Sequence, residues 1–471
     1  MLNSGFLKDD RCGYDEKICT FELMCRIQNI LKMKSLLIFI LTYLLGCTTA
    51  FSQKIELQKI DSFVNHIEQN NRGIGSISIF NDGREIYNRS FGQSQLIDIQ
   101  YDADTKYQIG SITKLVTATL IFKLIEEGKL RLEDPLSKFY PNIPNSEKIN
   151  IKNLLNHSSG LGDFLEKKDN KSWLTEKVSQ NEIFDEIISQ GILFQPNEKA
   201  EYSNSGYFLL ARIVEKLYNK DYATIVEEKI ADPLSLKNFT SITPSTTNIF
   251  PSYEYTDKWE KLKDLEFSNV IGVGDIVSTP KDLNTFLYNL SQHKILQKES
   301  LEQMKPNLVS DEEFGMGLMS IPFYEHISYG HAGDTYGTHT IVSYNEKDRL
   351  GFSFAYNGER FPHNDILIGI LSIIYGKDYK YPDFNTITIA SENLDKFIGT
   401  YSNPDFPLKL TITKDGKGLV GQATGQSSFP LECYEENKFK NDQAELKLIF
   451  MPVENKMILN LDGEKIEMKR E

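Results

Sequence analysis

A chain of 471 residues is too long for one ordinary hydrophobic core, so a large domain plus a smaller one is the starting expectation. With 66 acidic against 52 basic residues the net charge is -14, and no basic run is long enough to follow a phosphate backbone, which argues against nucleic acid as a partner. Four of the five cysteines (Cys12, Cys19, Cys25 and Cys47) precede Gln53, which leaves Cys433 alone, so the body of the chain must be held by burial rather than by disulfides.

From Met33 the sequence has a secretory layout. Lys34 supplies a charge, Leu36 to Leu45 an apolar run, and Ala50 and Ser52 the small residues of a cleavage site before Gln53. The run is too short to anchor by spanning a bilayer. Residues 1–52 are therefore expected to be an upstream extension and a signal peptide, with translation starting at Met33 and export to the periplasm or the exterior. Leu44-Leu45-Gly46-Cys47 offers an alternative exit, a lipoprotein box that would place a lipid on Cys47.

Two alternating segments around Asn81-Asp82-Gly83 predict a hairpin. The stretch from Ile112 to Leu130 is apolar on most faces and closes at Gly128, as a helix buried inside a domain would. From Ile149 to Leu290 the pattern is mostly helical, interrupted by loops at "NHSSGLGDF" and "FQPNEKAEYSNSGY". Strands follow at "HTIVSYN" and "LGFSFAYN", joined by Glu346-Lys347-Asp348, and then a helix near Asp365 to Ile374. Strands at both ends with helices between predict an α/β (α+β) fold, an antiparallel sheet flanked by helices with an all-helical subdomain. This domain is assigned to residues 53–378. A linker at 379–390 leads to short alternating segments over 391–471, a separate all-β unit of barrel type.

Ser111 and Lys114 stand one helical turn apart at the head of the buried helix, hence on one face. A serine hydroxyl is a poor nucleophile until a base takes its proton, and a buried lysine loses its own proton far more easily than in water. The spacing alone proves nothing, because Ser278–Lys281 and Ser291–Lys294 repeat it. Ser278-Thr279-Pro280-Lys281 reads instead as a helix start, with a capping residue, a first-turn proline and Asp282 following. Tyr202-Ser203-Asn204 precedes another apolar helix, where a tyrosine hydroxyl can relay a proton and an asparagine can bridge the lysine and a substrate amide. Its copy, Tyr401-Ser402-Asn403 before Pro404, reads as a turn. His331-Ala332-Gly333 lies in a strand-like setting, where the glycine would let substrate lie along the strand edge.

These three elements in this order resemble the serine β-lactamase and penicillin-binding protein superfamily, in its class C β-lactamase and DD-carboxypeptidase branch. The phrases "YQIGSITK", "FQPNEKAEYSNSGYFLLARIVE", "GDIVSTPKDLNTFL" and "YGHAGDTYGTHT" carry the likeness over Ile55 to Tyr375, and "QATGQSSFPLECYEENKFK" is similar to lipocalin-like extensions on some relatives. The resemblance implies an acyl-enzyme on Ser111 with Lys114 as proton acceptor assisted by Tyr202. It implies substrate binding by Asn204, His331 and Gly333, and an oxyanion hole from the backbone N–H groups of Ser111 and Asp334. Two departures stand out. Pro196-Asn197 replaces the usual Pro-Gly, which asparagine tolerates through its ease in left-handed backbone. His331 replaces the common lysine, and a neutral imidazole is no fixed cation for a substrate carboxylate.

A small acyl, peptide or ester substrate is expected, turned over by a peptidase or esterase, with β-lactamase action as one alternative. A non-catalytic binding protein for a cell-envelope component is another. No cofactor is expected. Metal ligation by His326, His331 and His339 is not expected either, since their spacing fits no helical zinc pattern and no acidic partner is near in sequence. His157 is read as bracing its loop.

Overall fold

The computed structural model describes residues 55–96, 99–167, 170–308, 314–416, 418–426, 428–461 and 463–471. The expected signal segment, with Met33 and Cys47, lies outside them. Helix α1 (Leu57–Gln69) buries Ile60, Phe63, Val64 and Ile67, the stripe that a 3.6-residue period dictates. The hairpin β1 (Gly73–Asn81) and β2 (Arg84–Phe91) turns at Asp82 and Gly83, both at positive φ, as the sequence pattern requires.

Helix α2 (Ile112–Glu126) is buried along almost its whole length, and α3 (Asn204–Tyr218) packs against it within the same apolar core. Helix α4 (Pro280–Ser291) starts on Thr279, whose hydroxyl accepts from the N–H of Asp282, with Pro280 next. That is the structural role expected for this copy of the Ser-x-x-Lys spacing. Strands β3 (Met319–Phe323), β4 (His326–Asp334), β5 (His339–Asn345) and β6 (Leu350–Glu359) lead to helix α5 (His363–Ile374).

The main sheet runs β2-β1-β6-β5-β4-β3, each neighbouring pair antiparallel. The late strand β6 thus pairs with the early strand β1, from Gly73 opposite Glu359 to Asn81 opposite Leu350. The region read as mostly helical holds more strand than expected. Tyr253–Tyr255 joins β6 in parallel, and Tyr107–Gln108, Ile276–Ser278 and Thr240–Ser241 form a separate small sheet. Pieces of two or three residues are too short to show alternation in sequence.

The C-terminal unit is a closed eight-stranded barrel. Its strands are β7 (Gly399–Asn403), β8 (Phe406–Asp415), β9 (Gly418–Ala423), β10 (Ser428–Glu435), β11 (Lys438–Asn441), β12 (Leu446–Met451), β13 (Lys456–Leu461) and β14 (Glu464–Arg470). Closure comes from Tyr401 pairing with Arg470. Side chains fill the interior: Phe397, Phe439 and Phe450 meet with ring centroids 4.9–5.5 Å apart over Leu448, Met457 and Met468. The expected turn at Tyr401-Ser402-Asn403 is instead strand β7; Tyr401 is buried and donates its hydroxyl to Phe397 O at 3.0 Å.

An ionic seam fastens the barrel to the sheet. Arg72, at the root of β1, lies 2.8 Å from Glu432 and 3.2 Å from Asp442, and Arg360 pairs with Glu432 as well. Burial pushes the Glu432 carboxyl up, but the two guanidinium groups win and hold it below the usual range. Tyr379 and Tyr381 set their edges on Phe63, and Ile387 N–H donates to Cys433 O at 2.8 Å.

Candidate active site

Ser111 leads into α2, yet its hydroxyl makes no N-cap bond. Instead Ser111 Oγ accepts from Lys114 Nζ at 3.0 Å, the contact that the one-turn spacing allows. The amine's other partner is Val273 O at 3.1 Å. Lys114 is fully buried, and that burial brings its pKa down to about 7, opposed by the more distant charge of Asp163. A neutral amine is therefore well populated at neutral pH.

Tyr202 completes the trio. Its hydroxyl is hydrogen-bonded to Ser111, and the Lys114 amine sits 5.0 Å from its ring centroid. Burial raises this phenol well above its ordinary range, so it is present as O–H. Behind it the His157 ring stacks at 4.5 Å, and His157 Nδ1 accepts from Ser203 N–H at 3.1 Å. His157 thus braces the loop, as expected, and burial lowers its pKa to about 3. Asn197 adopts φ +66°, the left-handed backbone anticipated for this position.

On the facing strand β4, Gly333 comes so close to α2 that a Cβ there would meet Ile109 O at 2.0 Å and Ser111 N at 2.8 Å. Gly110 approaches Asp334 in the same way, with Asp334 N 2.9 Å from where its Cβ would be. The N–H-bearing backbones of Ser111 and Asp334 therefore lie side by side. His331 is buried beside Lys114, its Nδ1 bonded to Ala332 O; burial lowers its pKa to about 4, so it is neutral.

Asn204 lies in the same cleft, but its amide donates to Asp163 at 2.7 Å, and Asp163 also accepts from Asn204 N–H. The expected bridge to the lysine is occupied by Val273 O. Asp163 and Val273 were not singled out in the sequence; the polar end of "NHSSGLGDF" carried the only signal for Asp163. The cleft at Ser111 has a volume of about 260 Å³ and a largely apolar wall of Leu165, Leu174, Leu265, Val270 and Val273, with Asn204, Asp334 and Tyr336 at its edges. Among the described residues no helix is long and apolar enough to cross a membrane.

Residues 60–371 match the family model described as Beta-lactamase. A teichoic acid D-alanine hydrolase from Staphylococcus aureus is 26% identical over 328 residues, covering 67% of this chain and 79% of that one. A Bacillus subtilis (strain 168) relative named among the penicillin-binding proteins is 28% identical over 272 residues, covering 56% of this chain and 66% of its own length. Among solved structures, the D-amino acid amidase of Ochrobactrum anthropi SV3 aligns with a TM-score of 0.59 at 22% identity, over 68% of this chain and 99% of that one. A family match across most of the chain, on a fold whose sheet, helices and serine–lysine contact agree with it, leads to one conclusion: the chain belongs to the beta-lactamase family and is a serine hydrolase of the β-lactamase and penicillin-binding protein superfamily.

Proposed function

We propose that the chain is an exported enzyme that cleaves small esters or amides through an acyl-enzyme on Ser111, its substrates being D-amino acyl compounds that need no free carboxylate. The observation that carries this reading is the 3.0 Å contact between Lys114 Nζ and Ser111 Oγ, with the amine brought to about pKa 7 by burial. The neutral amine takes the hydroxyl proton as Oγ bonds to the substrate carbonyl carbon. The charge that develops on the carbonyl oxygen is met by the N–H groups of Ser111 and Asp334. The proton then passes through the Tyr202 hydroxyl to the departing alcohol or amine; water, losing a proton to Lys114, next attacks the acyl carbon, and Lys114 returns that proton to Ser111 Oγ as the acyl group leaves. Asn204 holds the substrate amide, and Gly333 leaves room for it along β4.

The substrate class follows from the walls. The cleft offers an apolar surface to an acyl side chain, and neutral His331 supplies no fixed positive charge for a carboxylate. The relatives' names agree with this, one acting on D-alanine of teichoic acid and another on D-amino acid amides. β-Lactams, which carry that carboxylate, are accordingly poor substrates.

A fluorophosphonate probe on the full chain tests the nucleophile. Labelling is expected in the wild type and lost in Ser111→Ala; an equally labelled variant overturns the assignment. A panel of D-alanyl and D-phenylalanyl esters and amides against nitrocefin tests the class, with kcat/KM expected to favour the former by at least about tenfold. The reverse order would reinstate a β-lactamase.

A further inference from the structure

On the sheet face turned away from Ser111, donor groups from three elements converge. Gly333 faces α2, so Asp334, next along β4, points to the opposite side. There its carboxylate lies 2.6 Å from Nδ1 of His339, its cross-strand partner at the start of β5. His339 Nε2 lies 3.1 Å from Glu359 at the end of β6, and the other Glu359 oxygen lies 2.9 Å from Nδ1 of His363, the first residue of α5. The two imidazoles stack at 4.2 Å and within 10° of parallel. One ligand atom from each of His339, Glu359 and His363 fits within 4.8 Å of the others.

Donor atoms about 2.0–2.1 Å from a tetrahedral zinc ion stand about 3.3 Å apart. The two contacts to Glu359 are already close to that edge length, and rotation of the two stacked rings toward one another would let their nitrogens converge on a cation that replaces the bridging hydrogens. Asp334 on the far nitrogen of His339 supplies the carboxylate behind an imidazole ligand that metal sites recurrently use. Two imidazoles with one carboxylate select borderline cations of the zinc kind over calcium or magnesium. The three ligand side chains are 18–29% exposed, so they are shielded yet reachable. Beside them a cavity of about 80 Å³, lined in part by Asn364, Ile341 and Leu367, leaves room for a water as a further ligand.

We propose that His339, Glu359 and His363 bind one zinc-class divalent cation, with Asp334 as the positioning residue for His339. Such an ion ties β5, β6 and α5 together directly behind the backbone of Asp334. The spacing of histidines in sequence hides the site, because its other two ligands come from the far end of the next strand and the helix after it.

The test uses the full chain stripped with a chelator and titrated with Zn²⁺ by calorimetry. One equivalent is expected to bind with a dissociation constant of about 1 μM or tighter. Glu359→Gln and His363→Asn are each expected to weaken binding by at least about 100-fold, and Asp334→Asn by about tenfold. Zn²⁺ raises the melting temperature of the wild type and of Ser111→Ala, but not of His363→Asn. Circular dichroism of the metal-free variants checks folding; Glu359→Gln keeps an amide oxygen that can accept from the His363 N–H, and if it does not fold, His363→Asn decides. Absence of stoichiometric binding, or equal affinity in the His363→Asn variant, overturns the proposal.

Discussion

Two buried polar regions of the molecule solve the same problem in opposite ways. At the seam under the barrel, buried Arg72 and half-buried Arg360 meet Glu432 and Asp442, so each of these charges keeps a partner. Behind Ser111, Lys114, His157 and His331 are buried with no carboxylate in contact among the described residues, and burial favours their neutral forms. Pairing preserves charge and makes a fastening. Leaving basic groups unpaired makes bases, at a cost in folding free energy.

Replacing Lys114 is the strongest way to separate the two. Lys114→Met is expected to lower kcat by about 10³–10⁵-fold, roughly 4–7 kcal/mol in the barrier. Removing an unpaired buried amine should also raise unfolding stability by about 1–3 kcal/mol, read from a urea midpoint. At the seam the effects reverse: Glu432→Gln leaves Arg360 without its carboxylate and Arg72 with Asp442 alone, and should lose about 1–3 kcal/mol of stability with kcat unchanged. A stability loss with Lys114→Met, or a kcat loss with Glu432→Gln, would break the contrast.

Acid sharpens it further. Folded His157 and His331 stay neutral down to about pH 3 and 4, whereas unfolded imidazoles take protons below about pH 6.5. Their joint contribution to stability is therefore complete above about 6.5 and declines as pH falls toward 4, by on the order of 4 kcal/mol for the pair at pH 5. Urea melts at pH 7.5 and 5.0 measure this, and His157→Gln should make the decline shallower. Activity has its own limb: kcat/KM should rise with pH through about 7 as Lys114 becomes neutral. Asp163 favours the protonated amine, so Asp163→Asn should move that limb to lower pH by less than about one unit, the smallest of these effects.

Local signals reached a good part of this arrangement. Ser111 and Lys114 were legible because one helical turn fixes their relation, and the hairpin at Asp82-Gly83 because its backbone demands those residues. Asn197 was legible for the same reason. What sequence could not carry was non-local. Val273 takes the place expected for Asn204 beside the lysine through a carbonyl, which has no sequence signature at all. Asp163 acts through space, and the Tyr253–Tyr255 strand is defined only by the edge it joins. Tyr401 was misread because Ser-Asn-Pro resembles a turn, while the closing pair with Arg470 that makes it a strand comes from the other end of the barrel.

The cleft wall has a further consequence. Leu165 and Leu174 come from one connection, Leu265, Val270 and Val273 from another, and Tyr336 from the β4–β5 turn, while Ser111 and Lys114 belong to a helix locked in the core. Selectivity and reactivity are thus written in separate stretches of the polypeptide. Lineages, or engineers, can retarget such an enzyme by exchanging surface connections and keep the same reaction centre throughout.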